Sequence, residues 1–65
     1  MKFIVRYHFG PDFGVNRTLD AENKEEAMID ATNSKVVEFE EKGQLYRFNI
    51  EDVKYTTVRP PATLK

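Results

Sequence analysis

The chain has 65 residues, 40% of them apolar and 32% charged, with no cysteine, no tryptophan and a formal net charge of −1. That length holds one domain with a small core, and the absence of cysteine excludes a disulfide framework and a thiolate metal site. A charge so close to zero argues against a general nucleic-acid binder, which is usually basic.

Residues 2–9 alternate, with Phe3, Val5, Tyr7 and Phe9 on one face and Lys2, Ile4, Arg6 and His8 on the other. This is the pattern of a strand buried on one side. Gly10-Pro11-Asp12-Phe13-Gly14 reads as a loop. Val15, Arg17, Leu19 and Ala21 then oppose Asn16, Thr18 and Asp20, a second strand set antiparallel to the first by a hairpin. Asn23 is placed to cap a helix, and Glu26, three residues on, can reach back to it. Ala27, Met28 and Ala31 form the stripe expected to face the sheet, and the helix should end near Asn33, which tolerates a left-handed turn.

Alternation resumes over residues 35–41, with Val37 and Phe39 against Val36, Glu38 and Glu40. Lys42-Gly43 predicts a turn, after which Tyr46, Phe48 and Ile50 share one face of the next strand. Glu51-Asp52 marks a bend or a single helical turn. Val53, Tyr55 and Thr57 oppose Lys54, Thr56 and Val58 in a last β-favouring run, which Pro60-Pro61 stops. The expectation is one α+β domain over residues 1–59 and a C-terminal tail at 60–65. Four to five strands form a mainly antiparallel sheet with one helix packed on one face. The order is β-β-α-β-β-β, compatible with a β-grasp-like arrangement of the first four strands and the helix.

No apolar run approaches the roughly 20 residues that span a bilayer, and Arg6 and His8 interrupt the N-terminal apolar stretch that a signal peptide would need. No membrane association and a cytoplasmic location are therefore expected. Charge is unevenly spread: residues 20–41 carry −6, while 1–19 carry +2 and 42–65 carry +3. Such a dipole can steer association with a partner.

No catalytic set stands out. His8 is the only histidine and Ser34 the only serine, whereas nucleophilic catalysis needs a nucleophile and an oriented base together. His8 is expected to pair on the strand surface with Asp20 or a glutamate, and the Glu38–Glu40–Glu41 cluster to meet a cross-strand partner such as Arg47. Asp12-Phe13-Gly14 spells the magnesium-binding triplet of protein kinases, but the other kinase elements are missing. No cofactor and no metal are expected. Phe13 either tucks over the core edge or stands out as an aromatic anchor.

The second sheet face holds more information. It collects Ile4, Val36, Leu45 and Val58 among Lys2, Arg6, His8, Asn16, Thr18, Glu38, Arg47 and Asn49. Ile29 likewise points away from the alanine stripe. A contiguous apolar patch of this kind marks an interface. The candidate partner-binding residues are Ile4, Arg6, Phe13, Ile29, Val36, Leu45 and Arg47. Nucleic acid is not favoured, because Tyr7, Tyr46 and Tyr55 fall on the core-facing side, away from Lys2, Arg6 and Arg47, whereas a stacking platform needs aromatics and bases together.

The stretch Leu19-Asp20-Ala21-Glu22-Asn23-Lys24-Glu25-Glu26-Ala27 resembles a strand-to-helix junction of small proteins from Gram-positive bacteriophages and mobile elements. Val37-Glu38-Phe39-Glu40-Glu41-Lys42-Gly43 and Phe48-Asn49-Ile50-Glu51-Asp52-Val53 resemble them as well. The resemblance implies a small protein that binds and inhibits a host protein, or one that binds a small signalling molecule. The expected function is thus a phage-encoded, non-enzymatic protein that modulates a host partner. The alternatives are an oligomer that sequesters a nucleotide through Arg6, Arg17, Arg47 or Arg59, and a homodimeric accessory protein.

Overall fold

A computed structural model describes residues 1–61. Strand β1 (Lys2–Gly10) is followed by β2 (Phe13–Asp20), helix α1 (Lys24–Thr32), β3 (Val36–Glu41), β4 (Gln44–Asn49), a 3-10 turn (Ile50–Asp52) and β5 (Tyr55–Arg59). The architecture is α+β, with five antiparallel strands and one helix. Residues 62–65 of the expected tail lie outside the described residues.

The strands form two sheets rather than one. The first is three-stranded in the order β2-β1-β5, and the second is the β3-β4 hairpin. The expected single sheet, and the β-grasp-like order for its first four strands, are corrected by this break. Its physical basis lies at the free edge of β2. There the Glu41 carboxylate accepts from the Thr18 backbone N–H at 3.0 Å and from the Thr18 hydroxyl at 3.1 Å. A side chain takes the edge donor that a neighbouring strand would otherwise use.

The β1-β2 hairpin is tighter than its glycines suggest, because β2 starts at Phe13 and only Pro11 and Asp12 remain outside the strands. Register runs Phe3↔Leu19, Val5↔Arg17 and Tyr7↔Val15, with an irregularity between His8 and Gly10. The other edge of β1 takes β5, with Val5↔Val58, Tyr7↔Thr56 and His8↔Tyr55. The last strand is therefore in the opposite phase to the expected one: Val58 packs on the core, and Tyr55 stands on the outer face. Period-two alternation holds only within one continuous strand. The bend at Lys54 separates Val53 from β5 and resets it.

The core comprises Phe3, Val5, Tyr7, Ala27, Ala31, Val37 and Phe39. Tyr7 stacks on Phe39 with ring centroids 5.8 Å apart and meets Phe48 edge-on at 5.0 Å. The hairpin thus packs its inner face on the inner face of the three-stranded sheet. The helix covers the rest of that face, and Ala27 and Ala31 allow close approach. Asn23 caps the helix, its side-chain oxygen accepting from the Glu26 N–H at 2.8 Å. Glu26 reaches back to the Glu22 N–H at 3.4 Å. Asn33 follows the last turn at φ −88°, not in the left-handed region.

Candidate functional site

The alternation that builds the core leaves two outward faces, one on each sheet, and the candidate residues divide between them. Ile4 and Arg6 stand on the outer face of the three-stranded sheet. They line a groove of about 340 Å³ with Asn16, Thr18, Glu41 and Gln44. Arg6 donates to the Asn16 side-chain oxygen at 2.9 Å. Its guanidinium lies across Gly14, where an added Cβ would come within 2.9 Å of the guanidinium carbon and 2.9 Å of the Tyr7 carbonyl oxygen. Gly14 is therefore what lets Arg6 lie flat on the sheet.

Phe13 and Arg47 meet at a second place. They line an apolar depression of about 420 Å³ with Phe9, Val15, Tyr46 and Phe48. Phe13 resolves the choice left by its loop: it is 66% exposed, with its ring tilted against Phe9 at 5.5 Å. Val36 and Arg47 share a hollow with Glu38, Phe48 and Asn49 on the hairpin. Arg47 there faces Glu38 at 3.6 Å, as their cross-strand register requires. Leu45, 70% exposed, stands on the same hairpin, and Ile29, 60% exposed, stands on the helix.

The single contiguous second face expected from alternation is therefore not present. Ile4 and Arg6 belong to one sheet, Val36, Leu45 and Arg47 to the other, and Val58 to neither outer face. Two sheets that share a core turn their outer residues away from it separately, and one-dimensional alternation does not distinguish them.

His8 is engaged differently from expectation. Its ring stacks on Tyr55 at 4.2 Å with an interplanar angle of 9°, and its Nε2 lies 3.2 Å from the Thr57 hydroxyl. Asp20, its expected partner, instead accepts from the Met1 amine at 3.0 Å and lies 3.9 Å from the Lys2 ammonium. The hydrogen bond from that amine, and then its charge, hold the Asp20 carboxyl below the usual aspartate range. Arg17 points inward, as its place in the alternation predicted. It donates to the Tyr7 hydroxyl at 3.1 Å and sits 5.2 Å from the centroid of the Phe39 ring. Among the described residues no group of three or more His, Cys, Asp or Glu side chains is placed to hold a metal ion.

Sequence reasoning missed the linings. Phe9, Val15, Tyr46 and Phe48 were assigned wholly to the core, yet each is half-buried and shows an edge to the Phe13 depression. The aromatic content of β1 and β4 was the available signal. Comparison with protein-family models, with curated proteins and with solved structures returns no match. No helix among the described residues is long and apolar enough to cross a membrane.

Proposed function

We propose that this chain is a non-enzymatic binding protein of a bacteriophage or mobile element, acting in the cytoplasm by docking on a host protein and modulating or inhibiting it. The observation that supports this reading is Phe13. An aromatic ring two-thirds exposed, beside an apolar depression and next to Arg47, has the make-up of an interface anchor. Aromatic and arginine side chains set in a largely desolvated patch dominate the energy of protein interfaces. The non-enzymatic part of the reading rests on the sequence, which offers no cysteine, one serine and one histidine. The phage source rests on the sequence resemblance alone.

The test is affinity capture from a bacterial lysate with the wild-type chain and with Phe13→Ser. A partner held by the wild type, lost by Phe13→Ser, and bound again when both proteins are purified supports the reading. A partner retained equally by both variants, or no partner in hosts of several Gram-positive lineages, overturns it.

A second reading is favoured by Leu45 and by Val36, which is 49% exposed: both are aliphatic and both lie on the outer face of the hairpin. A homodimer that covers this face is the accessory-protein alternative, and light scattering decides it. A monomeric mass at high protein concentration removes it. The sequestering oligomer loses one of its four arginines, since Arg17 is committed to Tyr7 and Phe39.

A further inference from the structure

The outer face of the three-stranded sheet adjoins the Phe13 depression at Gly14, but its residue content calls for its own partner. Along β1 it presents Lys2, Ile4, Arg6 and His8. On β5, Arg59, Thr57 and Tyr55 stand opposite Ile4, Arg6 and His8, and on β2, Thr18, Asn16 and Gly14 do the same. The helix packs on the inner face, and the hairpin reaches the outer one only at the β2 edge, where Glu41, Lys42 and Gln44 wall the Ile4–Arg6 groove. Among the described residues Arg6 and Arg59 are in no ion pair. The acids of the chain are mostly elsewhere: Glu25, Glu26 and Asp30 on the helix, Glu51 and Asp52 in the 3-10 turn, Glu38 and Glu40 on the hairpin's outer face. Asp20 at the far end is offset by the Met1 amine and Lys2, which leaves Glu41, hydrogen-bonded to Thr18 at the groove wall, as the acid beside Arg6 and Arg59. The near-neutral total therefore conceals a basic sheet face.

Tyr55 changes the chemistry of that face. It stands 58% exposed and stacks on His8 with the rings almost parallel. Among the described residues strand β5 pairs only with β1, and its far side carries no strand. The two rings form a short stack that an unpaired base extends, because every base offers a π-face. The condition that disfavoured nucleic acid in the sequence, aromatics on one side and bases on the other, does not hold for this pair.

We infer that the outer face of the β2-β1-β5 sheet binds single-stranded nucleic acid, with bases stacking on the Tyr55–His8 pair and phosphates meeting Arg6, Arg59 and Lys2. From Lys2 to His8 the platform runs about 20 Å at the ordinary strand rise, which is longer than one nucleotide. Asn16, Thr18 and Thr57 add small hydrogen-bonding groups without blocking approach. A duplex hides its base faces, so the stacking pair selects the single strand. Recognition of this kind is tolerant of sequence and strongly dependent on salt.

The experiment is fluorescence anisotropy of a labelled oligothymidylate of about 12 nucleotides, within the usual site size of such platforms. It is titrated with the intact protein between ~50 and ~200 mM salt. The wild type is expected to bind saturably and to weaken as salt rises. Tyr55→Ala should weaken binding about tenfold, the typical effect of removing one stacking ring. Arg6→Gln and Arg59→Gln should each weaken binding and flatten the salt slope by about 0.7. Arg47→Gln, on the other sheet, and Phe13→Ser should change neither, which separates this outcome from the fate of the protein-partner reading. Circular-dichroism melts show which variants remain folded, and the Arg59→Gln result stands if Tyr55→Ala does not fold. No saturable binding at the lowest salt overturns the proposal. So does equal weakening by Arg47→Gln, equal affinity for a duplex of the same length, or full competition by thymidine monophosphate at oligonucleotide concentrations, which would mean a one-nucleotide pocket.

Discussion

Tyr7 shows how one side chain ties three elements together. It is fully buried on β1, donates its hydroxyl hydrogen to the Ala31 carbonyl at 2.9 Å and accepts from Arg17 on β2 at 3.1 Å. The Ala31 carbonyl lies in the last turn of the helix, where no intrahelical donor is available. Tyr7→Phe keeps the ring and its packing on Phe39 and Phe48 but leaves that carbonyl and the guanidinium each short of a partner. A loss of about 1–2 kcal/mol is expected, read as a fall of several degrees in Tm by thermal circular dichroism. An unchanged Tm would mean that water replaces the hydroxyl. The inward position of Arg17 was legible from alternation, whereas its use was not. The groups it serves lie on β1 and β3, and pairing between distant segments leaves no trace in local pattern. Phe13 was undecidable for a related reason, because it sits where a tight hairpin ends and either direction satisfies the chain.

At the scale of elements, the β3-β4 hairpin is set by its two-residue loop. Lys42 has φ 51° and Gly43 has φ 82°, the paired left-handed conformation that matches the twist of antiparallel strands. Nothing lies within 4 Å of a Cβ built on Gly43, so Gly43→Ala tests backbone conformation free of any clash. It should cost about 1–2 kcal/mol, measured as a lower urea midpoint with an unchanged slope. A changed slope would point to a hairpin that no longer forms. The helix with its cap, the Lys42-Gly43 turn and the existence of each strand were readable, because each has a local cause: the Asn23 oxygen, the Lys42-Gly43 pair, the period of two. The grouping of strands was not. It depends on the Glu41 carboxylate reaching Thr18, 23 residues away in sequence, and on a bend at Lys54 that inverts the phase of β5. Two errors of sequence reading, one sheet for two and Tyr55 for Val58, arise there.

In the whole molecule the strands are not equally secured. β1 is hydrogen-bonded on both sides, by β2 and by β5, and its Phe3, Val5 and Tyr7 side chains are buried beneath the helix and hairpin. The hairpin joins the three-stranded sheet through no strand ladder. It is held by Val37 and Phe39, by the half-buried Tyr46 and Phe48, and by the Glu41–Thr18 contact. Each fully buried aliphatic or aromatic side chain is worth about 1.5–3 kcal/mol. Releasing the hairpin alone therefore forfeits only part of the burial that global unfolding forfeits. Native-state hydrogen exchange should separate the two events. The ladder amides of β1 are expected to exchange only by global unfolding, with the full dependence on denaturant. Those of β3 and β4 should exchange through a smaller opening, at lower free energy and with a shallower dependence. Such an opening would leave the outer face of the β2-β1-β5 sheet intact while dismantling the Phe13 depression, since Tyr46, Arg47 and Phe48 form one wall of it. Equal exchange free energies and slopes in β1 and in the hairpin would show that the side-chain contacts alone weld the two sheets into one cooperative unit.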